Sequence, residues 1–142
     1  MNRLLATAVS TAAAALLVAG GAASASAAEP TDDATTKLCS SLTELKADNA
    51  KLRELDPATA TKDQIEEAHK AVQDDWTTVA KSTAQFKAAH KEAIKNATKD
   101  VKKTYDGLPG DTTGAEALTK LTPNLQNLDE AVANAQTGLK CG

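Results

Sequence analysis

Four lysines, Lys87, Lys91, Lys95 and Lys99, recur at every fourth position, with Lys81, Lys102 and Lys103 close by. Only Glu92 and Asp100 oppose them between residues 81 and 103. On a helix this spacing lines the ammonium groups along one face, where like charges one turn apart cost a few tenths of a kcal/mol per pair. Helix stability alone is therefore a poor reason for the row. The chemistry it suits is docking of an anionic polymer, such as wall teichoic acid, anionic lipid headgroups or nucleic acid outside the cell. The competing reading is an ordinary solvated face, balanced by Asp63, Glu66, Glu67, Asp74 and Asp75 on a neighbouring helix. Nucleic acid is the least favoured of these partners. No aromatic residue alternates with the lysines to stack on bases, and beyond residue 28 acidic residues outnumber basic ones.

The two histidines are the next candidates. Glu66 and His69 stand one helical turn apart, the spacing of half a di-iron carboxylate site, but Lys87 occupies the matching position three residues before His90. A looser zinc or copper site from His69, His90 and nearby carboxylates is the remaining metal reading, and seam or surface histidines are the plainer one. Nucleophilic catalysis lacks a Gly-x-Ser-x-Gly elbow, and no glycine-rich phosphate loop is present. Beyond residue 28 there is one arginine, Arg53, too few for a clamp on a small dianion. The sequence thus supports a non-enzymatic binding or envelope-associated module ahead of a metal-binding bundle or an enzyme of unspecified class, with no cofactor implied.

Cys39 and Cys141 are the only cysteines in the 142 residues. Their reading depends on compartment, and residues 1–28 have the layout of a secretory signal peptide. Asn2 and Arg3 form a short basic start, Leu4 to Val18 an apolar core, and Ala23-Ser24-Ala25 or Ala25-Ser26-Ala27 a small-residue cleavage site. The expected mature chain, 29–142, is a single domain, secreted or extracellular, either free or held at the cell wall by an envelope polymer or another protein. In an oxidising compartment two cysteines most simply pair with each other.

Helices must position all these groups. Leu38, Leu42, Leu45, Leu52 and Leu55 mark one face of a helix over 34–55, with Asn49 as a polar residue in the seam. Such an Asn either fixes register between paired helices or sits partly exposed. Asp56-Pro57 ends this helix. From Thr61 to Asp106 the chain has neither glycine nor proline, and Ile65, Val72, Val79 and Phe86 recur at sevens. Thr61 and Gln64 form a capping box; Ser82-Thr83-Ala84-Gln85 has the same form, which divides the stretch into helices over 62–81 and 82–106. Leu108-Pro109-Gly110-Asp111 is a turn. Thr113 and Glu116 repeat the capping chemistry and open a helix over 114–139, whose seam runs Leu118, Leu121, Leu125, Leu128, Val132, Ala135 and Leu139. Pro123 inside it should kink the helix or start it. The two similar turns suggest either tandem related hairpins or convergent turn chemistry. Trp76, the largest apolar residue in an alanine-rich bundle, is expected in the core.

The expected fold is all-α: an up-down-up-down four-helix bundle stapled by one disulfide. The alternative is an elongated bundle around one long central helix over residues 61–106. Cys39-Ser-Ser-Leu, Leu55-Asp-Pro before Thr61 and Gln64, Asp75-Trp76 in mid-helix, the Leu108-Pro turn and the terminal Leu139-Lys-Cys141 together resemble small secreted helical proteins of actinobacteria. That resemblance covers nearly the whole chain and implies export, a disulfide and helices. The family has no assigned activity, so nothing about chemistry follows from it.

Overall fold

Each apolar stripe becomes the buried face of a helix. In the computed structural model, which describes residues 32–82 and 86–142, the chain forms α1 (Asp32–Glu54), α2 (Lys62–Lys81), α3 (Ala88–Asp106) and α4 (Gly114–Leu139). The expected signal segment, 1–28, lies outside the described residues. The helices pack in a ring: α1 on α2, α3 on α4 and α1 on α4 extensively, with α2 against α3 the thinnest contact. The first and last helices are thus neighbours. This is the up-down-up-down bundle, and a central helix running unbroken over 61–106 is excluded because α2 ends at Lys81.

The core is aliphatic. Leu38, Leu42, Leu45 and Leu52 of α1 meet Ile65, Val72 and Val79 of α2, Ile94 and Val101 of α3, and the α4 seam from Leu118 to Ala135. A fully buried leucine or isoleucine contributes about 1.5–3 kcal/mol relative to exposure, so this seam is the main source of stability. Trp76 departs from expectation: it is only partly buried and packs against the edge of the core. Asn49 is fully buried. Its Nδ2 donates to the Leu125 carbonyl of α4 at 2.9 Å, while Oδ1 has no hydrogen-bond partner. A buried amide bonded across α1 and α4 fits the register reading and removes the partly exposed one.

Both helix-opening capping boxes form. Thr61 and Gln64 exchange side-chain and backbone bonds at the start of α2, as do Thr113 and Glu116 at the start of α4. The Glu116 carboxyl is held below its usual value by the bonds it accepts from Thr113. Asp56 turns the chain after α1 by accepting from the amides of Ala58 and Ala60. Pro123 neither starts nor ends a helix; α4 runs through it.

The start of α3 differs from the sequence expectation. Ser82 closes α2 instead of opening the next helix: its amide donates to the Val79 carbonyl and its hydroxyl to that of Thr78. Thr83 to Gln85 lie outside the described residues. Phe86 keeps the seven-residue series and is buried, but it does so from a bend, and α3 begins only at Ala88. Periodicity predicts which side chain enters the core, not that helix carries it there.

At the other end, Lys140 takes the left-handed conformation, φ 57°, and the Cys141 amide donates back to the Gln136 carbonyl. This turn brings Cys141 onto α1, where it is disulfide-bonded to Cys39 with the Cα atoms 5.6 Å apart. No helix among the described residues is long and apolar enough to cross a membrane.

Candidate functional site

The lysine row lies on α3, whose buried face is Ile94, Ala97, Thr98 and Val101. Lys87, Lys95 and Lys99 are exposed and Lys91 is half-buried. A helix advances about 100° per residue, so each four-residue step drifts by about 40°. Within α3 the row is therefore a diagonal band that starts beside the core face at the half-buried Lys91 and winds onto the outer surface by Lys99, with the exposed Lys87 at the cap position before it. This corrects the single straight face expected from spacing.

The band's surroundings neutralise it only in part. Lys95 pairs with Glu92 and Lys102 with Asp106, both within α3. Among the described residues no α3 lysine forms an ion pair with the acids of α2, and the cross-helix ion pair is Arg53 with Asp129, at 3.5 Å. From Lys87 to Asp106 six lysines face three carboxylates, whereas α1, α2 and α4 each carry more acid than base. The N-terminus of α3 sharpens the asymmetry. Lys87 stands at the cap position without a capping hydrogen bond, no acidic residue lies in the first turn, and Lys91 follows. A helix N-terminus already carries partial positive charge, so cations there oppose the dipole.

The histidines are not brought together. His69 is buried on α2 and stacks on Tyr105 near the end of α3, with ring centroids 4.2 Å apart and planes inclined by 16°. His90 sits in the first turn of α3 over Gly138, where an added Cβ would lie 2.6 Å from its Nε2. Along α3, Tyr105 and His90 are separated by about 22 Å at 1.5 Å per residue. A metal site shared by the two histidines is thus not assembled. Among the described residues no three His, Cys, Asp or Glu side chains are grouped to hold a metal ion. Burial pushes the His69 imidazole below its ordinary value, with Lys102 adding to the effect and Asp106 and Glu66 opposing it.

Two features of the surface were not legible in the sequence. The first is a carboxylate pair across α1 and α2, Asp48 and Asp75. Lys51 bonds Asp48 at 2.6 Å, while Oδ2 of Asp75 is buried without a partner. Burial, then Asp48 and Glu44, push the Asp75 carboxyl up to about 6, with Lys51 opposing. A folded-state value above the ordinary 3.8 means that the stability linked to this group is complete below pH 3.8 and is lost as pH rises through about 6. Asp75→Asn mimics the protonated form. After allowance for solvent screening, it should stabilise the fold by about 1 kcal/mol near pH 8 and by almost nothing near pH 4. Urea unfolding at the two pH values checks this, and an equal effect at both would contradict it.

The second feature is a cleft of about 330 Å³ where the start of α2, the end of α3 and the start of α4 meet. Ile65, Leu108 and Ala117 give it an apolar floor, and Glu66, Tyr105 and Asp106 line its side. Lys62 stands at its edge and donates from Nζ to the Gly110 carbonyl at 3.3 Å. The Tyr105 phenol is held above its ordinary value by burial first and then by the carboxylates of Glu66, Asp106 and Asp63.

No family model matches the chain, and no match was found among the curated proteins or the solved structures.

Proposed function

We propose that the protein is a secreted, non-enzymatic helical module that docks an anionic envelope polymer through the lysine band of α3. The observation that carries this reading is the placement of the band. Cations one turn apart start at a helix N-terminus that has neither a side-chain cap nor a first-turn acid, and no carboxylate of the neighbouring helix pairs with them. Each of these choices costs the isolated helix stability, and a polyanion lying across the band would offset all of them. The diagonal course suits a flexible chain that crosses α3 better than a rigid flat surface. The disulfide, which persists in oxidising compartments, and the signal-like residues 1–28 support export.

The test is titration of the oxidised protein with purified wall teichoic acid across a salt series, beside a variant carrying Lys87→Gln, Lys91→Gln, Lys95→Gln and Lys99→Gln. Binding should weaken at least about tenfold between low and physiological ionic strength, as the Debye length shortens from about 30 to 8 Å. The variant should lose at least about another tenfold while keeping its helical content. Binding that ignores both salt and the substitutions would overturn the proposal.

A further inference from the structure

The turns joining α1 to α2 and α3 to α4 share one end of the bundle, where Gly114 packs on the Ala60 carbonyl and Lys62 reaches the Gly110 carbonyl. The cleft between them is far along α3 from the start of the lysine band, and its chemistry is opposite. We infer that it is a binding site for a small organic ammonium ion, seated against Tyr105 and held by the Glu66 carboxylate.

Three observations lead to this ligand class. Glu66 has no ion-pair partner among the described residues, whereas Asp106 is shared with Lys102. A carboxylate paired with no cation, and within reach of the Tyr105 hydroxyl, therefore stands beside an apolar floor. Second, the aromatic wall is fixed. Tyr105 is stacked on His69, which is 7% exposed, has an Nε2 without a hydrogen-bond partner and is pushed by burial below its ordinary pKa. An imidazole whose charged form burial disfavours competes little with a cation for the other face of the phenol ring. Third, the carboxylates of Glu66, Asp106 and Asp63 all act on the Tyr105 hydroxyl in the direction that disfavours negative charge there. The same field favours a cation.

The floor of Ile65, Leu108 and Ala117 selects among cations. A hard metal ion requires several oxygen ligands in place of hydrocarbon, and no such group of side chains is present among the described residues. An ammonium with an alkyl body uses both halves of the cleft: charge toward Glu66 and the Tyr105 ring, methyl groups toward the floor. About 330 Å³ is at the small end of ligand pockets and suits a ligand of that size. Lys62 at the edge is the one element that opposes a cation, which makes it the most informative residue to change.

The experiment is a proton NMR titration of the oxidised protein with choline, its neutral isostere 3,3-dimethylbutanol and the anion 3,3-dimethylbutyrate. Tyr105 is the only tyrosine and His69 and His90 the only histidines, so their ring signals report the cleft and a remote control. Choline should shift Tyr105 and His69 saturably and leave His90 unmoved. Glu66→Gln should weaken choline binding by about tenfold. Lys62→Gln should strengthen it, the reverse of what an anion site would show. Unchanged His90 signals in each variant verify the fold. Equal binding of the neutral isostere, preference for the carboxylate, weakening by Lys62→Gln, or no saturation by choline would each overturn the assignment. The test leaves the lysine band out, so its failure would not touch the polymer-docking proposal, nor the reverse.

Discussion

Reducing the Cys39–Cys141 disulfide should lower the stability of the bundle by about 3–4 kcal/mol. The bond closes a sequence separation of 102 residues, nearly all of the described chain. On the chain-entropy account a loop of this size restricts the unfolded ensemble by up to about 4.7 kcal/mol, and strain or residual structure usually takes part of that away. The native state recovers only part of the loss. Cys141 lies just beyond the last turn of α4 and is placed by Lys140, a non-glycine residue in the left-handed conformation. That conformation costs about 1–2 kcal/mol, and without the cross-link the end of α4 is free to relax it by fraying from α1. Urea unfolding of the oxidised protein beside a Cys39→Ser, Cys141→Ser variant measures the difference. A change below about 1 kcal/mol would mean that α1 and α4 hold together without the staple. A small domain with an aliphatic core and one tryptophan is poorly placed to lose so large a share of a total that is typically about 5–15 kcal/mol. Reduction should therefore also bring the melting transition down by well over about ten degrees.

Gly114→Ala should cost about 2–4 kcal/mol, although helix propensity alone gives the opposite sign. Gly114 is the first residue of α4, where alanine is intrinsically better than glycine by about 1 kcal/mol. A Cβ at this position would overlap the Ala60 carbonyl oxygen and stand 3.0 Å from its carbon. Both atoms are backbone, so neither can swing aside. Relief would require the two inter-helix turns to part, which would strain the capping box of Thr113 on one side and that of Thr61 on the other. Gly110 supplies the control, because an added Cβ there meets nothing within 4 Å; Gly110→Ala should be close to neutral. Chemical denaturation of the two variants beside the parent decides the matter. A stabilised Gly114→Ala protein would show that the turns are not in contact.

Much of the fold can be read from residue spacing because it depends on one helix at a time. The leucines of α1 and α4 mark their buried faces by position alone, and Thr61 with Gln64 and Thr113 with Glu116 announce two helix starts through chemistry confined to four residues. The cysteine pairing follows from a count of two and the compartment that residues 1–28 lead one to expect. What spacing cannot give is the rotation of one helix against another. Asp48 and Asp75 oppose each other only because α1 and α2 pack at a particular phase, and the cleft beside Tyr105 needs three helix ends in register. The Ser82 to Gln85 pattern misleads for a related reason. Its first residue closes α2, and the next helix starts only at Ala88. Gly114 is similarly silent in sequence, since a glycine after a threonine cap is ordinary until its neighbour across the turn is known. The lysine row is legible as a row, but its winding and its lack of partners on α2 emerge only from the assembled bundle.

Docking of polyanion on the α3 band, as proposed, can be read residue by residue. The most direct measurement is a map of backbone amide shifts across the isotopically labelled, oxidised protein as wall teichoic acid is added at low salt. The largest changes should run from Lys87 to Lys103 and fade as salt is raised, with α1 and the acidic face of α2 unmoved. Changes concentrated elsewhere, or none at any ratio, would contradict it and return the lysines to the role of a solvated helix face.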